Sequence, residues 1–341
     1  MPEPKSISTH LLSLPDQPED IPWPTEHWDR SDRENASFKA LTEKIFDLSD
    51  AQGVTYALLV VKGGTLIYER YDAGASAFYL QYSWSMAKSV THALTGILVK
   101  QGKLDIYEPA PVPEWKGDER SEITLDQLLR MSSGLQFVED YVDGVASDVI
   151  PMLQFDGRHD TGAFAAAKPL IHPPDSVWSY SSGTTNIICR ILKEIVGGGA
   201  SGMLKFMEDE LFGPIGFRTA TPKFDTSGTF IGSSFLMATP QDFARFGLLY
   251  LRNGIWDGQK ILPDGWVDYA RTPTYKSDTE CYGAQWWMNP AKDSQFYCGG
   301  YDGQRILCDP EKDVIVVRCG RTPADEASYV MDRVKAIVDQ F

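Results

Sequence analysis

The spacing of apolar residues along the chain predicts an α+β fold: an antiparallel sheet flanked by terminal helices, joined to a mostly helical lobe. Three observations carry this. Short runs of strand type gather near both ends of the sequence, helical periodicity fills the middle, and each end carries a helix of its own. One sheet built from both ends makes residues 1–84 and 280–341 a sheet-containing lobe and residues 85–279 a helical lobe, together one unit. A cleft between the two is where a site is expected.

In order, residues 1–30 read as an irregular arm, and Phe38, Leu41, Ile45 and Leu48 then mark a helix with an apolar stripe. Val54 to Val61 and Thr65 to Tyr71, joined across Lys62-Gly63-Gly64, make a β-hairpin with a glycine turn. A helix from about Ser85 runs through Ala87, Val90, Leu94, Ile97 and Leu98 to Gly102, with so few charges that it belongs inside the protein. Thr124 to Gln127 open a short helix with a capping box, and Ser132-Ser133-Gly134 close it. Residues 135–175 read as a long loop carrying Asp140, Tyr141 and His159. A helix from Thr184 to Val196 follows and stops at Gly197-Gly198-Gly199. Gly197, Gly199 and Gly202 satisfy G-x-G-x-x-G, but they follow a helix where a dinucleotide fingerprint follows a strand. Thr239-Pro240 opens a further helix that ends at Asn253-Gly254. Strands at 282–288, 295–299, 305–308 and 314–319 and a closing helix over 325–341 complete the chain.

Lys+Arg 32 against Asp+Glu 47 gives a net charge of −15, which argues against nucleic acid and anionic membranes as partners. No apolar run reaches signal-peptide or transmembrane kind, so the sequence as written reads as cytoplasmic. Five cysteines without a C-x-x-C argue against a disulfide scaffold. Five histidines without H-E-x-x-H or H-x-H argue against a protein-built metal site, and no cofactor is expected.

The chemistry centres on Ser85 and Lys88. Three residues apart at the head of a helix, their side chains share one face. A serine hydroxyl needs a base, and an amine serves once desolvation lowers its pKa. The helix start directs backbone N–H groups at an oxyanion forming above the serine. A Ser-x-x-Lys tetrapeptide arises readily by chance, but a lysine on a buried helix needs a reason to be there.

With that pair, three further stretches carry a resemblance: 128–135 (LLRMSSGL), 178–186 (WSYSSGTTN) and Gly300-Tyr301-Asp302-Gly303-Gln304 leading to Asp309-Pro310-Glu311. The chain resembles the serine β-lactamase-like hydrolases that include penicillin-binding proteins, and most closely their esterase and 6-aminohexanoate-dimer (nylon oligomer) hydrolase branch. That resemblance implies a β-lactamase/transpeptidase-like fold. It implies a serine hydrolase cleaving ester or small linear amide bonds through an acyl-enzyme on Ser85, with Lys88 as base and Tyr180 as proton shuttle. Backbone N–H groups of Ser85 and Tyr301 would form the oxyanion hole.

Ser182 stands where β-lactamases carry asparagine, and Tyr141 where nylon-oligomer hydrolases carry a substrate-contacting tyrosine. Cys298-Gly299-Gly300 occupies the place of the K-T-G element, so these three residues, with Ser182 and Tyr141, are the implied substrate-binding set. The lysine of that element is missing, which implies weak turnover of carboxylate-bearing β-lactams. A β-lactamase or D-Ala-D-Ala peptidase-like enzyme remains the alternative, and a non-catalytic ligand-binding relative the second. No G-x-S-x-G points to an α/β-hydrolase.

Overall fold

The computed structural model describes residues 11–31, 36–140 and 146–341. Its centre is an eight-stranded, wholly antiparallel sheet made of β1 (Val54–Lys62), β2 (Thr65–Tyr71), β3 (Tyr275–Lys276), β4 (Cys281–Tyr282), β5 (Trp287–Asn289), β6 (Lys292–Gly300), β7 (Gln304–Asp309) and β8 (Val314–Arg321). The strand order is β2-β1-β8-β7-β6-β5-β4-β3, so the N-terminal hairpin pairs with the last strand of the chain. The β1–β2 turn places Gly63 and Gly64 at φ 58 and 81, the left-handed conformation that a tight two-residue hairpin demands.

Strict alternation along the strands sorts two cores. Leu58, Val60, Leu307, Val314 and Val316 face the terminal helices α1 (Ala36–Lys44) and α6 (Ala327–Val338). Ala57, Leu59, Val61, Ile306, Ile315 and Val317 face the other way, into one core shared with α2 (Ala87–Lys100), α3 (Leu125–Leu129), α4 (Ser182–Val196) and α5 (Pro240–Leu251). The capping box at Thr124 and Gln127 forms in both directions. Among the described residues no helix is long and apolar enough to cross a membrane.

Several elements differ from expectation. The loop over 135–175 holds short helices at Val149–Gln154 and Thr161–Ala166. A helix, Gly199–Met207, resumes directly after the glycine stop, with Gly198 left-handed at φ 73 where the chain turns. The strand expected over 282–288 is split, because Gln285 is left-handed at φ 59 and cannot continue a pleat. Tyr275–Lys276, inside the range read as helical lobe, adds the outermost strand of the sheet.

Candidate active site

Ser85 lies in a single 3₁₀ turn, Trp84–Met86, that opens into α2. Hydrogen bonds pin this turn to the short strand Leu236–Ala238: Ser83 N–H donates to Leu236 O at 2.8 Å, and Leu236 N–H donates to Ser83 Oγ at 3.1 Å. Trp84 is held left-handed at φ 44, a conformation that costs a bulky residue about 1–3 kcal/mol. The rings of Tyr82, Phe235 and Tyr301 pack on its indole at 5.7, 6.0 and 5.7 Å and hold it there. Strain is thus concentrated on the residue before the proposed nucleophile.

Lys88, one turn on, is only 1 % exposed. Its Nζ stands 3.2 Å from Ser85 Oγ and donates to Ser182 Oγ and to the Ser233 carbonyl, both at 2.9 Å. Burial lowers its pKa to about 8, against the opposing pull of the Glu139 carboxylate. Ser182, at the start of α4, donates its hydroxyl to Glu139 Oε1 at 2.8 Å and its backbone N–H to the other carboxylate oxygen. Glu139 therefore sits at the positive end of α4, where a carboxylate is favoured. Asn186, one turn further along α4, accepts from Ser233 N–H at 3.2 Å and fixes the loop whose carbonyl meets Lys88.

The Tyr180 ring lies 4.8 Å from Lys88 Nζ, and Tyr180 lines one cleft with Ser85. Burial, then Glu139, pushes the phenol well above its ordinary pKa, so it stands protonated at neutral pH. Tyr282 and Trp287 back the ring at 5.8 and 5.3 Å.

Ser85 and Tyr180 open into a cleft of about 240 Å³ with Glu139, Glu280, Trp287, Tyr297, Gly299, Gly300, Tyr301 and Arg305. Pairing of β6 with β5 reaches only from 292 to 297, so the β6 edge at 299–301 faces the cleft unpaired. A Cβ at Gly300 would stand 2.3 Å from Ser83 O, so only glycine lets this edge close on the Ser85 turn. Two larger hollows, one under the arm at Trp23 and Arg252 and one beside Leu104 and Trp266, are lined by neither Ser85 nor Tyr180.

A beta-lactamase family model matches residues 41–335, most of the chain. The chain belongs to the beta-lactamase family. It is 25 % identical over 325 residues to the 6-aminohexanoate-dimer hydrolase of Paenarthrobacter ureafaciens, covering 85 % of this chain and 79 % of that protein. Its fold matches a putative 6-aminohexanoate-dimer hydrolase from Bacillus anthracis with TM-score 0.77 at 23 % identity, over 96 % of this chain and 90 % of the other. It also matches EstCE1, a hydrolase with promiscuous acyltransferase activity, with TM-score 0.63 at 13 % identity over 89 % and 98 % of the two chains. This beta-lactamase-family chain is a hydrolase, and the esterase or amidase type fits its relatives. The resemblance drawn from the four sequence stretches and the α+β fold both stand.

Of the site residues named from sequence, Ser85, Lys88 and Tyr180 come together, and Gly299, Gly300 and Tyr301 line the same cleft. Two differ from their expected role as substrate contacts. Cys298, 1 % exposed, points with Phe296 and Ile306 into the core, because alternation along β6 turns it away from the face shared by Tyr297 and Gly299. Ser182, also 1 % exposed, meets Lys88 and Glu139 instead of lining the cleft. Tyr141 lies outside the described residues.

Four contributors had escaped the sequence: Glu139, the Ser233 carbonyl, Trp287 and Arg305. Glu139 stands next to Asp140 in a loop, with no motif in the sequence that marks it. Arg305, a lone cation in a strand that is otherwise apolar from 306 to 308, was a usable signal.

Proposed function

We propose that this chain cleaves ester or small linear amide bonds through an acyl-enzyme on Ser85, with Lys88 as base and Tyr180 as proton shuttle. The observation that carries this reading is the setting of the Lys88 amine. Ser233 O can only accept, and Ser182 Oγ has its own proton committed to Glu139, so it too accepts from Lys88. A neutral amine spends both N–H bonds on these partners and turns its lone pair toward Ser85. Glu139 acts here as a positioning residue, through Ser182.

In acylation, Ser85 Oγ attacks the substrate carbonyl carbon as its proton passes to Lys88. The tetrahedral oxyanion is met by the backbone N–H groups of Ser85 and Tyr301. Its collapse breaks the C–O or C–N bond, and the leaving group takes the Tyr180 proton, which the Lys88 ammonium replaces. Water then attacks the acyl ester, gives its proton to the same pair, and Ser85 leaves reprotonated. The substrate is a small molecule with an ester or linear amide. The acidic surface, −15 overall, supports neither nucleic acid nor an anionic membrane as partner.

The pH dependence tests this. A base with its pKa lowered to about 8 is charged and inactive below that pH, so kcat/KM for p-nitrophenyl butyrate should rise through about pH 8 and then level. Glu139→Gln keeps an acceptor for Ser182 but removes the charge that favours the ammonium, so the limb should move to lower pH. A flat profile from pH 6 to 10, or a limb unmoved by Glu139→Gln, would remove these roles.

A further inference from the structure

Tyr301 lines the cleft beside Ser85, yet 47 % of its side chain stays exposed. Its ring meets the Trp84 indole edge-on at 5.7 Å, and Tyr82, 52 % exposed, stacks on the same indole at 5.7 Å. Phe235, half-buried, packs on Trp84 at 6.0 Å. Met237, also half-buried, stands directly opposite Tyr82 where the strand Gln81–Tyr82 pairs with Leu236–Ala238. These side chains make one apolar shelf that begins in the cleft and ends on the open surface. Trp84, the link between its two exposed tyrosines, is the residue held left-handed at φ 44. Strain of that kind collects where a site needs a side chain in one place. Rings that served only to fill the core would be buried; contiguous aromatic surface left in water beside a reacting group marks a binding groove.

We propose that Tyr301, Trp84 and Tyr82 form an acyl subsite for an extended apolar chain, so that the preferred substrates carry acyl groups longer than butyryl. The direction follows from the proton path. A leaving group has to reach the Tyr180 hydroxyl, and Tyr180 is backed by Tyr282 and Trp287. Tyr301 meets Trp84 instead, and its backbone N–H shares the oxyanion hole with that of Ser85. With the leaving group on the Tyr180 side, the acyl chain runs over Tyr301 toward Trp84 and Tyr82. Each methylene it lays on the rings leaves water, which raises the affinity for long chains over short ones. The inference rests on Ser85 hydrolysis and names the acyl class that it takes.

The p-nitrophenyl esters of butyrate, hexanoate, octanoate and decanoate, each kept below its aggregation concentration, read this out. In the wild type, kcat/KM should rise along the series by about tenfold or more. Tyr82→Ala should reduce the decanoate-to-butyrate ratio about threefold or more, and Tyr82→Phe, which keeps the ring, should hold the wild-type ratio. A smaller reduction in Tyr82→Ala, or an equal one in Tyr82→Phe, overturns the inference even if every ester is hydrolysed. An oligomeric state that Tyr82→Ala shifts in light scattering, with the ester ratio unmoved, assigns the shelf to a second copy of the chain and overturns it too. Binding of octanamide and butyramide to Ser85→Ala protein, measured by calorimetry, needs no catalysis. If Tyr82→Ala in that background weakens octanamide alone by threefold or more, the subsite stands even where hydrolysis fails. Octanamide binding unchanged by Tyr82→Ala overturns it.

Discussion

Replacing Lys88 by methionine should lower kcat/KM for p-nitrophenyl butyrate roughly 10²- to 10⁴-fold, the range of a general base. Methionine fills the same buried space beside Ser182 and Ser233 without an amine, so the loss should fall on chemistry and not on folding. Tyr180→Phe should cost less on this ester, because p-nitrophenolate leaves without a proton while Ser85 still needs its base. On a linear amide the two losses should converge, since an amine cannot leave unprotonated. Equal losses on both substrates would contradict the separate roles.

Stability adds an independent reading. The folded-state pKa of Lys88 lies below its ordinary 10.5, so between about pH 8 and 10.5 the unfolded chain holds a proton that the folded one has shed. Stability contributed at this site therefore rises with pH through that window and is smallest below it, by about 3 kcal/mol from 1.36 kcal/mol per unit. The buried cysteines and tyrosines, whose pKa values are raised, act in the opposite direction in both proteins, so the stability of wild type relative to Lys88→Met should rise with pH through that window in urea titrations.

Gly300→Val should lower kcat roughly 10²- to 10³-fold, the cost of losing one oxyanion donor. The added Cβ would meet Ser83 O at 2.3 Å and Trp84 Cβ at 3.3 Å, forcing the β6 edge, and the Tyr301 N–H after it, away from Ser85. Because Lys88 is untouched, the rise of kcat/KM through about pH 8 should survive at the lower rate. A normal kcat in Gly300→Val would show that the β6 edge does not supply the oxyanion hole.

What could be read in advance was local. The Ser85–Lys88 pair is one helical turn, the capping box at Thr124 spans four residues, and the hairpin turns on two adjacent glycines; each is written within one element. The sheet was legible because alternation in β1 and β8 leaves both faces apolar, the mark of strands covered on both sides. The split at Gln285 and the helix resuming at Gly199 depend on left-handed residues that tertiary packing selects. Lys88 meets Ser182 and Ser233 across 94 and 145 residues, and Ser182 meets Glu139 across 43, so no window of sequence holds that network. Arg305 was assigned no role for a similar reason: its place at the cleft follows from cross-strand register with Gly299.

The central claim is that Ser85 carries the acyl group. Intact-protein mass spectrometry after brief reaction with p-nitrophenyl butyrate or a fluorophosphonate measures this directly. The wild-type chain should gain one acyl or phosphonyl mass that peptide mapping places on Ser85, and Ser85→Ala, which removes the attacking oxygen and little packing, should gain none. Full labelling of Ser85→Ala, or an adduct mapped to another residue in the wild type, would contradict it.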